Sequence, residues 1–61
     1  MFTLKFHTDN DAFQAEDRLD TDEVARVLKR VIATVRAGSI MAPIHDVNGN
    51  TIGSWSLEEE N

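Results

Sequence analysis

The chain has 61 residues, no cysteine, and 11 acidic against 6 basic side chains, which give a formal charge of -5. This length predicts one small domain over residues 1–61, and the lack of cysteine excludes disulfides and thiolate zinc sites as its support. Because so short a chain buries only a small core, we expect a second copy of the chain or another partner to stabilise it.

The N-terminal segment predicts a strand over residues 2–8. Apolar Phe2, Leu4 and Phe6 alternate there with polar residues, which is typical of a strand with one buried face. This alternation indicates neither a signal peptide nor a membrane span, so we expect a cytoplasmic protein that does not bind membranes. Residues 9–20 are rich in acidic side chains and predict a loop, which Phe13 anchors.

A helix is predicted over residues 21–37. Asp20 is a favourable N-cap, and Glu23 lies where a capping-box residue accepts a hydrogen bond from the amide of Asp20. Gly38 is the residue type that ends a helix in a left-handed conformation. Apolar residues recur at helical spacing at Val24, Val27, Leu28, Val31 and Val35, with Ile32 on the flank.

The sequence predicts a hairpin over residues 40–57 and an acidic tail over residues 58–61. Asn48-Gly49 favours a two-residue type I′ turn, which pairs Ala42 with Trp55 and Ile44 with Gly53. A bulged loop is the alternative and would shift this register by one residue. Pro43 has no amide hydrogen to donate and therefore favours an edge strand. The predicted fold is α+β, a β-α-β-β arrangement with a three-stranded mixed sheet in the order 1-3-2 and one crossover helix packed on one face.

The predicted core lies between the helix stripe and one face of this sheet. It comprises Phe2, Leu4, Phe6, Val24, Val27, Leu28, Val31, Val35, Ile40, Ala42, Ile44, Trp55 and Leu57. The opposite face of the sheet is also partly apolar, which predicts a homo-oligomer, a dimer or higher. The candidate interface residues are Met41, Pro43, Val47 and Ile52.

No pattern indicates catalysis or a cofactor, so we expect a protein that is not an enzyme. Cysteine and tyrosine are absent, and none of the serines lies in a nucleophile elbow. Asp46, Asn48 and Asn50 have the 1-3-5 spacing of a calcium loop, but Gly49 and Leu57 stand where that loop requires other residues. This segment therefore favours a turn over a metal site, and no metal is expected. His7 and His45 are conceivable as a pair, but the outer face of the sheet favours solvated or interfacial histidines.

Positive charge is concentrated in the predicted helix. Residues 21–37 carry four bases and two acids, whereas the remaining residues carry two bases and nine acids. Such a helix face is typical either of a solvated surface or of a stripe that binds a small anion. Duplex DNA is disfavoured because the surrounding acids repel phosphates. The candidate ligand-binding residues are Lys5, His7, Phe13, Arg26, Lys29, Arg30, Arg36 and His45.

Three segments, TDNDAF (8–13), EVARVLKRV (23–31) and DVNGNTIGSW (46–55), resemble small accessory proteins of tailed bacteriophages and prophages. The resemblance implies a stoichiometric binder in the cytoplasm of a bacterial host. The expected function is that of a non-catalytic counter-defence protein that sequesters a small anionic, nucleotide-like immune signal. The alternatives are an acidic inhibitor that docks onto a host defence or regulatory protein through residues 9–22 and the tail, and a DNA-associated or virion accessory subunit.

Overall fold

A computed structural model describes residues 1–60. The predicted α+β class with one α-helix is confirmed. The elements are β1 (Phe2–Phe6), a short 3-10 helix (Asp11–Phe13), β2 (Gln14–Ala15), β3 (Arg18–Leu19), α1 (Thr21–Arg36), β4 (Met41–His45) and β5 (Thr51–Leu57).

The main sheet has three strands in the order β1-β5-β4. Both neighbouring pairs are antiparallel, so the sheet is antiparallel, and the expectation of a mixed sheet is wrong. The reason is that β1 and β4, which run in the same direction, do not touch but flank β5. Helix α1 packs against β4 and against the 3-10 helix.

The predicted loop over residues 9–20 contains a second, two-stranded sheet formed by β2 and β3. The two residues at its tip, Glu16 and Asp17, both have positive φ, as a type I′ turn requires. Sequence reasoning missed this turn because glycine and asparagine, which adopt positive φ most readily, are absent from the tip. The amide of Asp20 closes the hairpin by donating to the carbonyl of Phe13 at 2.7 Å.

The two ends of α1 follow from their residue types. The Asp20 carboxylate caps the helix by accepting hydrogen bonds from the amides of Asp22 and Glu23. At the other end, Gly38 has φ of +99° and Ser39 donates to the carbonyl of Thr34, which is a Schellman motif. The predicted capping box is wrong, because the amide of Asp20 is bonded to Phe13 and the Glu23 carboxylate points elsewhere.

The β4–β5 hairpin keeps the predicted pairs Ala42 with Trp55 and Ile44 with Gly53, but its register then shifts so that His45 faces Thr51. This bulge adds one residue to β5 and turns Ile52 into the core. Ile52 is therefore buried, and the prediction that places it on an outer interface is wrong. Met41, Pro43 and Val47 are exposed, as that prediction requires.

The core is smaller than the sequence predicts. Five of the predicted core residues remain substantially exposed because α1 covers only part of the sheet: Phe2, Leu28, Val35, Ile40 and Leu57. The residues that are buried are Phe13, Val27, Val31, Ile44, Ile52 and Trp55. The protein is accordingly elongated, with extents of 45 × 19 × 17 Å.

Gly53 lies in the central strand, where a side chain has no room. A Cβ atom at this position would collide with the backbone carbonyl of Lys5 and would lie 2.6 Å from the Cα atom of Phe6. We predict that Gly53→Ala lowers the free energy of unfolding by about 3 kcal/mol, at the upper end of overpacking costs, because backbone must move to admit the methyl group. Urea denaturation measures this loss. Ser54→Ala, a substitution at the exposed neighbouring position, should change the same quantity by less than about 0.5 kcal/mol; equal effects of the two would contradict this packing.

Candidate functional site

Two buried carboxylates lie where the β4–β5 turn meets the first turns of α1. Asp46 and Glu23 are both buried. The Oδ1 atom of Asp46 accepts hydrogen bonds from the amides of Asn48 and Asn50, each at 2.9 Å. Its Oδ2 atom accepts from the side-chain amides of Asn10 and Asn50. The carboxylate thereby closes the turn and ties it to the loop that follows β1.

Glu23 holds the same turn from the helix side. Its carboxylate accepts two hydrogen bonds from the Arg26 guanidinium, at 2.6 and 2.9 Å, and one from the amide of Val47 at 3.0 Å. We call Asn10, Glu23, Arg26, Asp46 and Asn50 the turn network. It joins three segments of the chain that are distant in sequence.

The turn itself differs from the prediction. The amide of Gly49 donates to the carbonyl of Asp46, the amide of Asp46 donates to the carbonyl of Asn50, and only Gly49 has positive φ. A type I′ turn needs positive φ at both central residues, so the predicted two-residue turn is wrong. A three-residue loop forms instead because it lets the Asp46 carboxylate collect its amide donors.

The network also bears on the calcium pattern of Asp46, Asn48 and Asn50. Both carboxylate oxygens of Asp46 face N–H donors, and such an arrangement satisfies an anion and leaves no lone pairs directed at a cation. Across residues 1–60 no group of three His, Asp or Glu side chains is placed to hold a metal ion.

Both carboxylates are stabilised in their ionised form. The hydrogen bonds from Arg26 lower the pKa of Glu23 and, with the bond from Val47, outweigh the effect of burial. Burial raises the pKa of Asp46, but the hydrogen bonds from Asn50, Asn48 and Asn10 together outweigh it, so that the net shift is downward. The pKa of Arg26 is raised, chiefly by its bond to Glu23.

The turn network places part of the predicted ligand-binding set together. Arg26 and Arg30 of α1 and His45 of β4 line one shallow depression beside the turn. Asp46 also lines this depression and Glu23 is bonded to Arg26, so the two acids offset the two arginines there. A second depression, on the solvent face of α1, is lined by Arg26, Lys29, Arg30, Ala33, Thr34 and Ala37. We call this second surface the basic face.

The basic face is the stronger candidate for binding an anion. Its lining contains no carboxylate, and Lys29 and Arg30 take part in none of the ion pairs formed within residues 1–60. Ala33 and Ala37 are short, so a ligand reaches the helix surface between the longer cations. Arg26 has its Nε and Nη2 atoms engaged by Glu23, which leaves it a supporting role.

The other candidates lie elsewhere. Lys5 faces Ser54 on the side of the sheet away from α1, and His7 follows the end of β1. Arg36 is in the last turn of the helix, about 10 Å along the axis from Lys29 at a rise of 1.5 Å per residue. Phe13 is 0% exposed and packs against Phe6 with 6.1 Å between ring centroids, so its ring is not accessible to a ligand.

Sequence reasoning missed the roles of Glu23 and Asp46. A carboxylate three residues before an arginine in a helix is a recognisable ion-pair signal, but nothing local indicates that the pair is buried by a turn more than twenty residues away. The pocket between α1 and β4 has a volume of only about 60 Å³, far below the several hundred Å³ of pockets that bury a small-molecule ligand. A nucleotide-sized ligand therefore has to bind on an open surface of the protomer or between protomers.

Comparison with known proteins finds no match: no family model fits the sequence, no curated protein is similar to it, and no solved structure is similar to the fold. Among residues 1–60, no helix combines the length and apolar character that crossing a bilayer demands.

The turn network predicts the response of stability to acid. Because folding lowers the pKa of Glu23 and Asp46, their contribution is fully present above their ordinary values of 4.5 and 3.8 and is lost as the pH falls through the lower native values. Glu23→Gln should lower the melting temperature at pH 7, and its unfolding below pH 4.5 should take up about one proton fewer than that of the wild type.

Thermal unfolding between pH 7 and pH 2.5 measures both effects. Glu16→Gln, which removes the same charge at the exposed tip of the β2–β3 hairpin, serves as the matched control and should follow the wild type. An acid-induced loss of stability that is as steep in Glu23→Gln as in the control would contradict the claim that ionised Glu23 stabilises the folded protein.

Proposed function

We propose that the protein is a non-catalytic, homo-oligomeric binding protein that captures a small anionic, nucleotide-like ligand on the basic face. The observation that carries the proposal is the pair of cations, Lys29 and Arg30, on a helix surface whose lining contains no acid. The rest of the chain is acidic, so this face is the one place in the described chain where positive charge is concentrated.

The chemistry of the face fits a phosphate group. An arginine guanidinium matches phosphate oxygens with two parallel hydrogen bonds, and a lysine adds a mobile point charge. Arg30 also lies beside His45, which is exposed and offers a flat ring next to the cations. His45 offers a ring on which a base can stack, which Phe13, the other candidate ring near the helix, does not because it is buried.

The size of the face favours a small ligand over a nucleic acid. Only two cations without carboxylate partners line it, and the acidic remainder of the surface repels an extended phosphate backbone. A ligand with one or two phosphates satisfies the site without approaching the acidic regions. Capture of a nucleotide-like immune signal is the counter-defence role that the resemblance to phage accessory proteins implies.

Binding of two probes, ADP and a cyclic dinucleotide, by isothermal titration calorimetry tests this function. We predict that Lys29→Ala combined with Arg30→Ala weakens binding of whichever of the two probes the wild type binds by about a hundredfold. Two charge-assisted contacts are lost, and each contributes roughly a factor of ten to the affinity. Arg18→Ala, which removes an exposed positive charge on β3, should leave the affinity within about twofold. Equal affinities of the double variant and the wild type for both probes would contradict the assignment.

A second candidate function is inhibition of a host protein by acidic docking. The observation in its favour is the β2–β3 hairpin, whose two tip residues, Glu16 and Asp17, are exposed and held with positive φ. Two carboxylates at the tip of a hairpin are complementary to a basic cleft of a partner protein. The rate of association with that partner should fall steeply as the salt concentration rises.

A comparison of two charge variants distinguishes acidic docking from anion capture. If the protein inhibits a host target, Glu16→Gln with Asp17→Asn should slow association at least tenfold at low salt, and Lys29→Ala with Arg30→Ala should not. Stopped-flow or surface plasmon resonance against the target measures the rates. An association rate that Glu16→Gln with Asp17→Asn leaves unchanged would contradict acidic docking.

A further inference from the structure

Six exposed apolar side chains lie on α1 and on the end of the main sheet where Phe2 pairs with Leu57. On the sheet, Phe2 pairs with Leu57, and the amide of Leu57 donates to the carbonyl of Ile40 at 2.7 Å, so the three lie side by side. Phe2 also stacks on Trp55, with 5.6 Å between ring centroids. On α1, the other three side chains are at i, i+4 and i+7. We call Phe2, Leu28, Ile32, Val35, Ile40 and Leu57 the open apolar face.

The placement of α1 on the main sheet brings the helix and sheet parts of this face toward each other. Arg30 and Thr34 line the space against β4, so that flank of α1 lies at the β4 edge of the sheet. The opposite flank, with Leu28 and Ile32, is therefore on the β1 side, where the sheet surface at Phe2 is uncovered. Residues 37–39 connect the end of α1 directly to Ile40, which brings the helix end to the same end of the sheet.

We propose that a second copy of this chain covers the open apolar face and forms a symmetric homodimer. This deepens the proposed function, because it rests on its homo-oligomeric part and assigns the surface. The assignment differs from the interface predicted from the sequence, which lies on the other side of the sheet around Met41, Pro43 and Val47.

The extent of the face suits a dimer. The six side chains expose between 38% and 62% of their surface, which is about 500 Å² per protomer and about 1,000 Å² in a symmetric pair, the threshold for a specific interface. This is about a tenth of the 4808 Å² surface of the protomer. A six-residue core gives a chain of this length little stability of its own, so burial of the face supplies support that the monomer lacks.

The charges beside the face are complementary to each other. On the helix side, Arg36 lies next to Ile32 and is in no ion pair within the part of the chain that the structure describes. On the sheet side, residues 58–60 are three glutamates that directly follow Leu57. A two-fold axis places the basic rim of one protomer against the acidic rim of the other, which is how an isologous interface uses opposite charges.

Sedimentation equilibrium of the wild type and two charge variants tests the proposal. Ile32 and Val47 are 56% and 62% exposed, but only Ile32 belongs to the open apolar face. The wild type and Val47→Glu should sediment at twice the 6.8 kDa of the chain, whereas Ile32→Glu should remain monomeric at tens of micromolar. Circular dichroism checks that each variant keeps its helix; glutamate is a good helix former at this exposed position.

A milder variant keeps the test decisive if Ile32→Glu fails to fold. Ile32→Ala removes apolar contact without adding charge and should raise the dimer dissociation constant about tenfold or more. The proposal is overturned by a wild type that is monomeric at millimolar concentration, by an assembly that survives every Ile32 substitution unchanged, or by a dimer that only Val47→Glu dissociates. Arg30→Ala separates the two claims, because Arg30 lines the basic face but lies on the flank of α1 that faces β4, away from the open apolar face. Loss of anion binding in a variant that stays dimeric concerns the basic face alone.

Discussion

The burial of two carboxylates at the β4–β5 turn is the constraint on which the rest of the structure depends. Asp46 and Glu23 are taken out of water, which is costly unless every oxygen finds a donor. The donors come from the turn, from Asn10 in the loop after β1 and from Arg26 in α1. Removing any one of them leaves a buried carboxylate with fewer donors than it has in the folded protein, so the three segments are held in one arrangement.

This anchor lies at one end of α1, and it determines which surfaces stay open. The helix packs against the sheet through Val27 and Val31, which share the core with Ile44 and Trp55, and its last turn covers less of the sheet, so that Val35 stays exposed. The apolar flank is consequently left exposed on one side and the basic face on the other. The same geometry therefore accounts for the proposed dimer contact and the proposed anion site, and places them on different sides of one helix. Ligand capture and assembly are for this reason separable by substitution.

The elements that depend on local chemistry could be predicted from the sequence, and those that depend on long-range contacts could not. Asp20 and Gly38 mark the ends of α1 because capping is decided within a few residues. The pairing of Ala42 with Trp55 follows from alternation along the strands. Glu23, by contrast, has the spacing of a capping residue, but its carboxylate turns away from the cap to accept hydrogen bonds from Arg26 and from the distant amide of Val47. Ile52 reaches the core through a bulge that the alternation does not encode. The sequence identifies Arg30 and His45 as candidate ligand-binding residues, but their proximity depends on the packing of α1 against β4, which no local pattern encodes.

Native mass spectrometry of the wild type with a cyclic dinucleotide tests the central claim, capture of an anion by a homodimer, most directly, because one spectrum gives both the assembly and the bound ligand. The account predicts a dimer of twice 6.8 kDa that takes up a maximum of two ligands, one on the basic face of each protomer. A monomer that carries no ligand at saturating probe concentration would contradict it.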